Sequence, residues 1–126
     1  MIKIESERCI NVRLSNIESL ARFIASLFAS GHPVYILHFK TSLGKHVYGF
    51  LAVLKDFYKY YGLPLFYYVI LEKPLQGSFI LVKLGDERME IRFSEGVKPG
   101  WIYAPIVSLS EPPAFINVGG VGDDRA

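Results

Sequence analysis

The chain of 126 residues contains a single cysteine, Cys9. No intrachain disulfide can form, and a reducing compartment fits. Amide side chains are scarce: Gln76 is the sole glutamine, and asparagine stands only at positions 11, 16 and 117. Together with abundant Ile, Leu, Val, Lys and Arg, that scarcity is typical of thermophile proteins. Charge of one sign is not in excess, since 14 basic and 12 acidic residues leave a formal net charge of +2. The balance falls well short of a dedicated nucleic-acid binder. Long apolar runs are missing too. The longest, "LPLFYYVIL", is strand-sized and far from the roughly 20 residues that span a bilayer. "MIKIESERCI" offers no apolar targeting core and no small-residue cleavage site. These absences lead to the expectation of a cytoplasmic protein with no membrane association.

Apolar side chains, by contrast, are plentiful: 51% of residues are hydrophobic and 14% aromatic, against 21% charged. A length of this order fits one domain with a real core. The surplus apolar content points to surface that another molecule covers, with a homodimer as the first expectation and a protein partner as the alternative.

Organisation follows from periodicity. Ile2, Ile4, Ile10, Val12 and Leu14 alternate with polar neighbours, as in a strand with one buried face. "SNIE" places Ser15 and Glu18 at capping-box spacing. Ile17, Leu20, Phe23, Ile24, Leu27 and Phe28 then form a helical stripe, stopped by Gly31 and Pro33, which predicts a helix over 16–30. "PVYILHF" reads as an interior strand. Val47, Phe50, Leu51, Leu54, Phe57, Tyr58 and Tyr61 match helical spacing, so a helix over 46–61 is expected, with a long hairpin strand as its rival. Four further strands read as a meander: "LFYYVIL", "SFILVKL", "RMEIRF" and "WIYAPIVSL". Pro105 lacks a ladder donor, which places the last of them at an edge. The order gives an α+β fold: a mainly antiparallel sheet of five to six strands with one or two helices packed on one face. Residues 1–109 form the domain; 110–126, rich in Pro and Gly, form a partly disordered tail.

No motif declares an activity, a catalytic residue, a metal or a cofactor. Cys9, His32, His38 and His46 lack metal-ligand spacing. His38 reads as a partly buried strand residue and His46 as a surface one, although the two converge if the loop between them folds back. Cys9 lies on a strand, away from any helix N-terminus that would activate it. Asp86 and Glu87 belong to a "GDER" turn, where backbone geometry favours such residues.

Three stretches are candidate binding sites. "KTSLGKH" (40–46) is not a Walker loop: Phe39 stands where the first glycine belongs, and His46 where a hydroxyl belongs. Followed by a helix, however, Lys40, Thr41, Ser42, Lys45 and His46 would offer a phosphate or carboxylate cations, hydroxyls and free N–H groups. Followed by a strand, they make a polar turn, with Gly44 supplying positive φ. "KDFYKYYG" interleaves Lys55, Lys59 and Tyr60 in a pattern suited to nucleic acid. Trp101, Tyr103 and Phe115 form a candidate interface patch. Arg88 and Arg92 share a face with Glu90, so no pure basic stripe arises there. The reading favoured is a small binding or assembly module that self-associates through apolar and aromatic surface. A nucleic-acid accessory protein and an enzyme or sensor of anionic small molecules are the alternatives.

Overall fold

Nine elements follow one another in the computed structural model, which describes residues 9–114 and 116. They are β1 (Ile10–Arg13), α1 (Ile17–Ala29), β2 (Ile36–Lys40), β3 (His46–Ala52), α2 (Lys55–Tyr61), β4 (Leu65–Leu71), β5 (Phe79–Leu84), β6 (Met89–Ser94) and β7 (Ile102–Ser108). The class is α+β, as the pattern implies, but the sheet is larger and mixed. Seven strands lie in the order β1-β4-β3-β2-β7-β5-β6. Two of the pairings, β1 with β4 and β2 with β7, are parallel. Parallel pairs join strands distant in sequence and leave no hairpin signature, which is why an antiparallel meander was the natural expectation.

Helix α1 forms where the stripe places it. Its cap is shifted by one residue from the expected Ser15. Asn16 is extended, and its side-chain oxygen accepts from the Ser19 backbone N–H at 2.9 Å and from the Ser19 hydroxyl at 3.1 Å. Glu18 therefore sits in the first turn, where the helix dipole favours it, rather than closing a capping box. Gly31 has φ of 80°, a left-handed value suited to the end of a helix. Leu20, Ala21, Ile24 and Ala25 face the sheet and are buried. They pack with Ile36, Tyr48, Phe50, Val69, Ile80, Val82 and Ala104 into the main core.

The expected helix over 46–61 divides in two. Residues 46–52 are strand β3, paired antiparallel with both β2 and β4. Only 55–61 are helical, and the αL residue Gly62 ends that helix. All of β3 except Leu51 is buried. A strand covered on both faces is apolar at odd and even positions alike, so its period of two disappears and helical spacing appears by accident. The opposite face of β3 and its neighbours carries a second core of Phe39, Val47, Phe66 and Tyr68, joined by Cys9 and Ile116.

Strand β7 is interior, not an edge. Its first half pairs with β5 and its second half with β2. The Ile106 N–H donates to the Ser78 carbonyl on the β5 side at 2.8 Å. Alternation then turns position 105 towards β2, one residue before parallel pairing begins at Ile106. The proline occupies the place where no ladder donor is required. Of the tail, residues 110–114 and Ile116 are described, and Ile116 is buried in the second core; the other tail residues and 1–8 lie outside the described residues.

Candidate functional site

Loop 40–46 is the turn of the β2–β3 hairpin. The Thr41 N–H donates to the Lys45 carbonyl at 2.8 Å and the Gly44 N–H to the Thr41 carbonyl at 3.0 Å. The Lys45 N–H donates to the Thr41 hydroxyl at 3.1 Å. Gly44 adopts φ of 83° to close the turn. A strand follows in place of the expected helix, so the loop gains no helix N-terminus to cradle an anion, and the N–H groups of Thr41, Gly44 and Lys45 are spent within the turn. Thr41 is buried, and neither Thr41 nor Ser42 is without a partner. Lys40 is exposed and Lys45 half-buried.

The hairpin does bring the histidines together. His38 Nε2 lies 2.8 Å from His46 Nδ1, and His38 Nδ1 lies 2.9 Å from the Ser108 hydroxyl. His38 stacks on Tyr48 with ring centroids 4.4 Å apart, and on His46 at 5.1 Å. His46 is buried, with 7% of its surface exposed, rather than a surface residue. The Tyr48 hydroxyl accepts the Leu75 N–H at 2.8 Å, tying the β4–β5 connection to the same cluster. Nothing local in the sequence marks Ser108. It reaches His38 only through the parallel β2–β7 pairing across 70 positions.

A hydroxyl, an imidazole and a second imidazole in a row resemble a nucleophile with its base and orienting group. The surroundings argue otherwise. The backbone N–H beside the hydroxyl, that of Leu109, donates to the His38 carbonyl at 2.7 Å and cannot stabilise an oxyanion. Ser108 lies on a regular strand, not a strained turn. The chain of bonds instead pins β7, β2 and β3 together. Only one proton fits between the facing nitrogens of the pair, so charging both imidazoles breaks their bond.

Burial, then His46, then Lys40 hold the His38 imidazole below its ordinary value of 6.5. Between that lowered value and 6.5 the unfolded chain binds more protons than the folded one. Stability is therefore fully present above pH 6.5 and is lost as pH falls through the window beneath it. Chemical denaturation at pH 7.5 and at pH 5 should show this loss, and His38→Gln should flatten it. An unchanged pH profile in that variant would assign the sensitivity elsewhere.

The remaining candidates lie apart. Trp101 is half-buried, with the Lys83 ammonium 5.7 Å and the Arg92 guanidinium 5.4 Å from its ring centre. Tyr103 meets Phe28 and Phe79 edge-on, while Phe115 lies outside the described residues. Lys55, Lys59 and Tyr60 all face solvent on α2, with Asp56 among them. Asp86 and Glu87 occupy the exposed β5–β6 turn, closed by the Gly85 N–H donating to the Arg88 carbonyl at 2.9 Å. Among the described residues, no group of three or more His, Cys, Asp or Glu is placed to hold a metal ion, and no helix is long and apolar enough to cross a membrane.

A concavity opens at the other end of the sheet from the histidines, where β2 begins and β3 ends. It has a volume of about 620 Å³ and a mostly apolar wall that includes Leu27, Val34, Tyr35, Phe50, Val53 and Leu54. Leu54 and Lys55 on this wall lead directly into α2. Periodicity gives no sign of it, because it is a gap between elements. Comparison with protein families, with curated proteins and with solved structures yields no match.

Proposed function

We propose that this protein is a small binding or assembly module that self-associates through apolar and aromatic surface. One observation carries the reading. Helix α2 is built from Phe57, Tyr58, Tyr60 and Tyr61 among two lysines and an aspartate, yet none of its residues is buried. Tyr60 is 86% and Tyr61 61% exposed. The neighbouring groove adds Tyr35, 62% exposed, together with the exposed Val53 and Leu54. A helix of seven residues has no stability of its own in water and depends on packing. Aromatic rings with one wet edge and one dry face are suited to contact between subunits.

Light scattering over a rising concentration series tests this. The mass is expected to move from that of one chain to a multiple of it, with association unchanged or strengthened by salt. Replacing Tyr60 and Tyr61 by serine should weaken association at least tenfold while leaving the unfolding temperature within a few degrees, because neither ring contributes to either core. A strict monomer at the highest concentration would end the proposal.

A further inference from the structure

The edge of the sheet at β6 has the geometry to pair with itself. In the β5–β6 ladder Val82 lies opposite Ile91. The Arg88 carbonyl accepts from Gly85 and the Ser94 carbonyl from Ser78, so even-numbered positions of β6 turn their backbone groups towards β5. By alternation, the N–H and C=O groups of Met89, Ile91 and Phe93 point out of the sheet, where no further strand stands among the described residues.

Natural edges are defended by proline, bulges, short length, charged side chains or a covering element, and a charge on the open face repels a pairing strand only where that strand sets the same sign opposite it. Here the six-residue strand contains neither proline nor glycine. Its inward side chains, Met89, Ile91 and Phe93, are apolar and pack on the main core. Its charges, Glu90 and Arg92, are on the other face and exposed.

From these features we infer that β6 pairs antiparallel with β6 of a second copy, about a two-fold axis through Ile91. That register joins Met89 to Phe93 of the second copy, Ile91 to its counterpart, and Phe93 to Met89. These are hydrogen-bonded pairs and give about six new bonds. In the same register Glu90 stands directly opposite Arg92 of the second copy, and Arg92 opposite its Glu90. Both are non-hydrogen-bonded pairs, the closer kind, and opposite charges there are attractive. Arg92 is held in place by its stacking on Trp101. The half-buried Met89, Ile91 and Phe93 would extend one core into the next. The other edge strand, β1, offers no equivalent, since its four residues, INVR, carry a single charge. This inference rests on the self-association reading and names a seam for it, separate from α2 and the groove.

Charge exchange tests the seam. Glu90→Arg leaves two arginines facing two arginines, and Arg92→Glu leaves two glutamates facing two glutamates. Each variant alone should associate at least tenfold more weakly than the natural chain by sedimentation equilibrium. Mixed in equal amounts, they should form a one-to-one dimer by native mass spectrometry. The double exchange Glu90→Arg/Arg92→Glu should restore the original affinity. Amide hydrogen exchange on the unaltered protein gives a readout free of folding effects: the amides of Met89, Ile91 and Phe93 should gain protection as concentration rises, while those of Glu90 and Arg92 stay protected throughout. Variants that all associate like the natural chain, with no concentration-dependent protection at odd positions, would overturn the seam and leave self-association standing. A natural chain that never associates would overturn both.

Discussion

Replacing Gly49 with alanine is expected to destabilise the protein by about 3 kcal/mol and to lower the unfolding temperature by about 10 °C. The reason is space, not backbone conformation. A Cβ at this position would lie 2.5 Å from the Tyr67 carbonyl oxygen, 2.6 Å from Phe66 Cζ and 2.8 Å from Tyr68 Cβ. Gly49 sits inside the sheet, paired with Leu37 on one side and Tyr68 on the other, so the strands cannot separate locally to admit a methyl group. Trimming the ring with Phe66→Leu should recover only part of the loss, because the Tyr67 oxygen is backbone and stays. Gly96 is the control: a methyl group there would meet nothing within 4 Å, and its φ is not in the left-handed region, so Gly96→Ala should change stability by less than about 0.5 kcal/mol. Urea titration of the three variants measures both numbers. A Gly49→Ala protein as stable as its parent would show that the close approach is not there.

Removal of the Phe66 ring itself, Phe66→Ala, should destabilise by about 4 kcal/mol. Phe66 is completely buried on the sheet face that α1 does not cover. It lies between Phe39, at a centroid distance of 6.3 Å, and Tyr68, at 5.6 Å. The expected loss is comparable to that of Leu20→Ala under the helix, about 3 kcal/mol. Both should be independent of protein concentration, because the contacts belong to one copy. A loss that appears only at concentrations where the chain associates would mean that a second molecule, not Leu109 and Ile116, completes that face.

Much of this architecture is legible in the residues, and the illegible parts share a cause. Helix α1 announces itself because one face is wet and one dry, and its stop residues are adjacent. The β5–β6 hairpin shows through the clean alternation of Met89 to Phe93 and the "GDE" turn. Strand β3 shows only as the rival to a helix, because burial on both faces removes the contrast that periodicity measures. The interior place of β7 is hidden by Pro105, whose meaning depends on which neighbour its missing donor faces. The site divides in the same way. Convergence of His38 and His46 follows from a hairpin between them, while Ser108 enters by a parallel pairing with no local trace. The exposed aromatic surface of α2 can be foreseen in composition but not in position. Surplus apolar residues on the second face, which composition alone assigns to a partner, are in part enclosed by the chain's own segments, so the uncovered surface is smaller than 51% hydrophobic content suggests.

Strand β7 has one more consequence. Among the described strands it alone touches both β2 and β5, and it is the last of these to leave the ribosome. Until Ile102–Ser108 emerges, β1 to β4 and the β5–β6 hairpin share no ladder and are joined only through their common packing on α1, each with a raw flank. Assembly during synthesis must therefore wait for a final zippering step that closes two different ladders at once. Long-range closures of this kind are slow and leave the nascent chain open to mispairing. A stalled or shortened product ending before residue 102 would present β2 and β5 as unfinished flanks, both of which the mature protein covers with a single strand.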